Sequence, residues 1–164
     1  MKPVSNTTRR RLEIQGFEGI DDNTLSEVAV WLRFSTAVCT VLMGLGTAMA
    51  SYVILWAIIP FSLLGAVFTT HPFDLIYNYG IRHLTHTKKL PPNGPPRRFA
   101  CALASVWLAA TGFAFYTGAI VVGYILGISL TMVALLVSTT DFCIPSHIFR
   151  FLFNKPLSSK SENA

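Results

Sequence analysis

Residues 99–140 read FACALASVWLAATGFAFYTGAIVVGYILGISLTMVALLVSTT, 42 positions without one Asp, Glu, Lys or Arg. At about 1.5 Å per residue a single straight helix of that length would reach roughly 63 Å. The hydrocarbon core of a bilayer is only about 30 Å thick. The run therefore has to fold back on itself, and the turn is expected between Tyr116 and Ala119. A second uncharged run, residues 34–70, is 37 long and makes the same demand, with its turn between Ala48 and Tyr52. These two runs predict an all-α integral membrane protein: four transmembrane helices as two tandem hairpins, with short interfacial helices.

Composition agrees. Hydrophobic residues make up 52% of the 164 positions and charged ones 13%, about half the charged fraction usual for soluble domains. The net charge of +5 reads as orientation and anionic lipid rather than nucleic acid, because Lys and Arg gather in cytoplasmic segments. All 13 basic residues precede the first run, lie between the two, or follow the second. Four spans put these segments on one side, so both termini are expected in the cytoplasm.

The chain then divides into five parts: a polar N-terminal tail (1–23), a first transmembrane hairpin (24–70), a cytoplasmic loop (71–98), a second hairpin (99–140) and an interfacial segment with a C-terminal tail (141–164). Thr24-Leu25-Ser26-Glu27 fits a capping box that would open the first helix. Pro60 falls inside the second span. After His71, Pro72 is a helix start signal. The positions that follow give an apolar stripe (Phe73, Ile76, Tyr77, Ile81, Leu84) and a polar one (Asp74, Asn78, Arg82), the pattern of an amphipathic interfacial helix. Leu90 to Pro96 is too proline-rich for a helix and is expected to be extended. The apolar segment around Arg150 is read as a second interfacial helix, and the residues from Leu157 as disordered.

Small residues recur every four positions along two spans: Thr36, Thr40, Gly44 and Ala48 on the first, Ala119, Gly123, Gly127 and Thr131 on the last. Such faces let helix backbones approach closely in lipid. Their expected use is packing inside the bundle, with dimerisation the other possibility. The two hairpins also share signals. Each opens on Arg-Phe (Arg33-Phe34, Arg98-Phe99) and closes on Thr-Thr (Thr69-Thr70, Thr139-Thr140), so that duplication competes with coincidence of common residues.

Candidate chemistry is sparse. The spans hold no ionisable carboxylate or amine, which argues against a proton- or ion-coupled carrier. The three cysteines, Cys39, Cys101 and Cys143, have no CxxC spacing, and each falls near the cytoplasmic boundary, where thiols stay reduced. Cys143, beside a helix start, is the candidate thiol. His83 and His86 are spaced to share a metal, with Asp74 or Cys143 as third ligand, but no established ligand motif surrounds them. No cofactor is expected.

Arg-Phe-small, an apolar hairpin, a Pro-rich loop, Arg-Phe-Ala and a second hairpin resemble a bacterial four-span membrane family, domain of unknown function 4395. The resemblance covers residues 28–153 and is clearest at Phe142-Cys143-Ile144-Pro145-Ser146-His147-Ile148-Phe149. In that family this position reads Phe-Cys-x-x-Cys, whereas Ser146 stands at the second cysteine here. The resemblance implies a bacterial inner membrane and lends no activity. The expected function is a non-enzymatic scaffold or accessory subunit acting through the bilayer and a protein partner or its own oligomer. The alternatives are a thiol-redox protein using Cys143 and an oligomeric channel for a small neutral molecule.

Overall fold

A computed structural model of the chain describes residues 5–85 and 87–153, and among these every regular element is helical. Residues 1–4, His86 and residues 154–164, which include the expected disordered tail, lie outside the described residues.

The N-terminal part is not a featureless tail. Helix α1 (Asn6–Ile14) turns at Gly16, whose φ of +101° suits glycine, and helix α2 (Asp22–Val28) follows. Leu12 and Phe17 are buried in a cluster with Leu25, Val28, Leu32, Tyr77 and Leu90. The few apolar residues here show no period because they reach the cluster from a helix, a turn and a loop. The Gly16 backbone lies against Gly94, so close that a Cβ on Gly16 would sit 2.8 Å from the Gly94 Cα. The capping box at Thr24 does not form. Asp21 caps α2 instead, accepting a hydrogen bond from the Thr24 amide at 3.0 Å, because a stronger cap residue stands three positions earlier.

Helix α3 (Phe34–Ala48) and helix α4 (Tyr52–Val67) are joined through a short turn, within the expected stretch, where Ala50 takes a positive φ of 47°. Helix α4 runs on through Pro60. Helix α7 (Pro95–Tyr116) and helix α8 (Ile120–Thr140) are joined at Gly118. Pro95 and Pro96 belong to the first turn of α7 rather than to the extended segment, since proline there gives up an amide that no helix uses.

Helices α7 and α8 are each long and apolar enough to cross a bilayer. At 15 and 16 residues, α3 and α4 would span only about 22–24 Å. They reach span length only together with helices bent against them: Asp22–Val28 with Trp31–Ala48 at 51°, and Tyr52–Val67 with Pro72–Thr85 at 81°. The candidate spans thus number two to four.

Around the bundle, α3 packs against α4 and α8, and α7 packs against the same two helices. Glycines set the closest approaches. A Cβ on Gly127 of α8 would meet the Thr47 side chain of α3 at 2.6 Å, one on Gly44 would sit 3.5 Å from Thr131, and Gly123 faces the Phe115 ring of α7. Thr40 is buried and donates to the Thr36 carbonyl at 2.7 Å. Ala48 is exposed at the end of α3, so the small face is corrected there: Thr47, one residue earlier, makes the contact.

The connection after α4 turns its polar stripe inward, not toward water. Helix α5 (Pro72–Ile76) leads through a π-helical turn, Tyr77–Ile81, into helix α6 (Arg82–Thr85). Asp74 and Asn78 are buried and hold the proline-rich segment: Asn78 accepts from the Leu90 amide at 2.9 Å, and Asp74 accepts from the Asn93 side chain at 3.3 Å. Extended backbone has amides to satisfy: Asn78 serves that of Leu90, and the Thr69 carbonyl serves that of Asn93 at 2.6 Å. Helix α9 (Ile144–Leu152) packs on α7 and α1.

The Gly127 contact leaves no room for a larger side chain. Gly127→Leu should destabilise the bundle by about 1–3 kcal/mol, the usual cost of overpacking. Thr47→Ala in the same chain should recover part of that loss. Thermal unfolding in detergent measures both, and an unchanged midpoint for Gly127→Leu would remove this contact from the bundle's packing.

Candidate functional site

Beside the apolar cluster of Met43, Leu55, Ile58, Leu108, Phe115 and Leu130, four of which also line it, the helices border a partly open cavity of about 310 Å3. Its walls come from α3, α4, α7, α8 and α9. Two small residues of α7, Ala100 and Ala104, leave the space, and Trp107 spans the gap toward the turn by donating its indole N–H to the Leu126 carbonyl of α8 at 3.1 Å. Leu130, Val133 and Val137 of α8 with Ile144 and Ile148 of α9 complete an apolar side.

Polar groups gather at the basic end, where Gln15, Ser35, His71 and Arg97 reach the cavity. Arg97 is only 7% exposed. Its Nη2 donates to the Leu32 carbonyl and to the Ser35 hydroxyl, both at 2.9 Å, and its guanidinium lies over the Phe17 ring, 5.2 Å from the centroid. Arg98, one position on, turns the other way and donates to the Ala66 and Val67 carbonyls at the end of α4. Consecutive helical residues point about 100° apart, so one arginine of the pair faces in and the other does not.

His71 caps α5, its Nδ1 accepting from the Phe73 amide at 3.3 Å, so the ring's own proton, when neutral, is on Nε2. It lies just past the apolar run that ends at Thr70. Burial holds its pKa down to about 4, with Arg97 lowering it further and Asp74 opposing. Asp74 is buried as well, and its Oδ1 has no hydrogen-bond partner.

All three cysteines line this one cavity, although they come from α3, α7 and the start of α9. Cys143, the candidate thiol, is 5% exposed at the N-cap of α9. Ser146 is fully buried in the first turn of that helix, and its hydroxyl has no partner. Of the metal candidates, His83 is exposed on α6 and His86 lies outside the described residues; among the described residues no group of three metal-ligating side chains forms. Neither Asp74 nor Cys143 joins His83 in a ligand set.

Sequence reasoning singles out Cys143 and the small faces as candidates and does not bring Arg97, His71, Ser35 and Gln15 together. The readable signal was the pair Pro95-Pro96, which starts a helix early enough to carry Arg97 inside it. His71 was read as a cap, and its burial depends on Gly65 of α4, where a Cβ would collide with the imidazole.

A histidine kept neutral by burial makes the fold acid-sensitive. With its folded pKa below the unfolded one, the unfolded chain binds more protons between about pH 6.5 and 4. This stability is complete above that window and is lost as pH falls through it. His71→Asn keeps a capping side chain and removes the titration, so its thermal midpoint should fall less steeply between pH 6.5 and 4 than that of the unaltered protein. Parallel slopes would remove His71 from the acid response.

No curated protein and no solved structure matches the chain. A family model does, over residues 29–154, which takes in the bundle, the cavity lining other than Gln15, Arg97, His71 and all three cysteines. The chain belongs to the family described as Domain of unknown function (DUF4395).

Proposed function

We propose that this chain is a four-span membrane protein that binds a small lipophilic molecule in the cavity between its helices, in a non-enzymatic, accessory role. The observation that carries this reading is the cavity itself: about 310 Å3, mostly apolar along α7 and α8, with Ser62 and Ser129 donating to helix carbonyls and the titratable pair His71 and Arg97 at one end. That is the usual composition of a small-molecule site. The basic segments, with both termini, belong in the cytoplasm of a bacterial cell, the spans in its inner membrane. Helices α3, α4, α7 and α8 make the four crossings, and the segments bent against α3 and α4, Asp22–Val28 and Pro72–Thr85, lie at the interface. The two short helices then meet the bilayer by bending and local thinning.

The redox alternative has the meeting of three thiols in its favour. Against it, Cys143 is 5% exposed, so its sulfur is shielded from reagents in solution. The channel alternative has against it the buried apolar cluster of Leu108, Phe115 and their neighbours between the helices, which offers a polar solute no partner.

Orientation is tested with single cysteines in a background whose native cysteines are changed to alanine. Replacements at Asn23 and Lys89 should react with a membrane-impermeant maleimide only after cells are opened, and one at the exposed Tyr116 in intact cells. Labelling of Lys89→Cys from outside would reverse the topology.

The cavity is tested with n-decanol, since roughly ten heavy atoms fill it at about 30 Å3 each. Decanol should raise the thermal midpoint in detergent and slow alkylation of Cys101 and Cys143. Ala104→Phe should remove both effects by filling the wall. Equal responses in the two proteins would mean that decanol acts on the detergent or the outer surface, and the reading would fall.

A further inference from the structure

The geometry points to a single-chain amphiphile with a carboxylate head as the occupant, its head on Arg97 and its chain along the α7–α8 wall. This rests on the cavity-binding reading above and adds the charge of the ligand. Arg97 is buried, yet it belongs to none of the ion pairs among the described residues. Both of its protein hydrogen bonds leave from Nη2. Nε and Nη1 therefore have no protein acceptor among the described residues, in a side chain that lines the cavity.

A buried cation without a counter-ion is costly. The buried carboxylate in the neighbourhood, Asp74, is engaged by Asn93 and makes no ion pair with Arg97. Stacking on Phe17 and the bonds to Leu32 and Ser35 fix the guanidinium plane. With Nη2 engaged, Nε and Nη1 point to different sides of the guanidinium, so each offers a single charge-assisted donor to an anionic oxygen, and one carboxylate charge balances the one uncompensated cation. The rest of the cavity offers Trp107, Leu130, Val133 and Ile148, which suit an alkyl chain. At about 30 Å3 per heavy atom the space takes a chain of roughly eight to ten carbons.

The test compares decanoate, decanol, decyl phosphate and decyltrimethylammonium on the full chain in phosphatidylcholine nanodiscs at pH 8. Thermal midpoints and protection of Cys101 from maleimide are the readouts. Decanoate should bind about tenfold more tightly than decanol, the worth of a charge-assisted contact, and the ammonium should give no protection. Arg97→Gln should bind decanoate and decanol alike. If that variant does not fold, Ser35→Ala, which frees the guanidinium but keeps its charge, should still narrow the preference. Equal binding of decanoate and decanol by the unaltered protein overturns the carboxylate assignment and leaves the cavity reading standing. Tighter binding of decyl phosphate than of decanoate also overturns the carboxylate assignment. No protection by any of the four overturns both.

Discussion

The bundle depends on arginines that close the C-terminal ends of its helices. The last four carbonyls of a helix have no partner within it, and near lipid an unsatisfied carbonyl is costly. Arg98 donates to the Ala66 and Val67 carbonyls that end α4. Arg11 donates to the Thr140 carbonyl of α8 at 2.7 Å, and Arg33 pairs with Asp141 just beyond. Arg150 does the same for α1, reaching the Glu13 and Ile14 carbonyls. A positive charge at a helix C-terminus is also favoured by the helix dipole. Asp141 takes a left-handed backbone conformation and stays buried, held by Arg33 and by Gln15, which donates to its carbonyl.

This basic layer explains how a polar end and an apolar cavity coexist. Arg33, Arg98 and Arg11 are consumed by carbonyls and Asp141, whereas Arg97 has only two of its five donor positions engaged. The space arises because close contact is concentrated elsewhere. Gly123 and Gly127 draw α8 toward Phe115 and Thr47, nearer the turns. Below them the wall is made of Ala100, Ala104, Ala134 and three cysteines, too small to fill the gap to α9.

Much of the bundle was legible in the sequence. Length set against bilayer thickness is a geometric constraint, so uncharged runs of 37 and 42 residues placed both turns. What stayed hidden depends on contacts between distant parts of the chain. Helix α1 shows no apolar period, because Leu12 and Phe17 are buried by Tyr77 and Leu90 rather than by a stripe of their own. Arg97 and Arg98 look alike in sequence and differ only in which way the helix turns them. The polar stripe at Asp74 and Asn78 has the pattern of a wet face, yet its partner is the proline-rich segment, through the Leu90 amide and the Asn93 side chain. The meeting of Cys39, Cys101 and Cys143 could be suspected from their common depth, but their sharing of one wall requires the packing of α3 against α8 and of α9 against α7.

The capping arginines cross between the two halves of the chain: Arg98, which opens the second half, closes α4, and Arg33, which opens the first, closes the end of α8. This has a consequence for birth on the ribosome. The end of α4 waits for an arginine encoded 31 positions after Val67, about two to six seconds of synthesis at typical rates. The last helix waits for nothing, because Arg11 and Arg33 are already in place when Thr140 emerges. The first half is thus born unfinished and the second half completes it, so the two halves, made as separate polypeptides, would each lack the cap that the other carries.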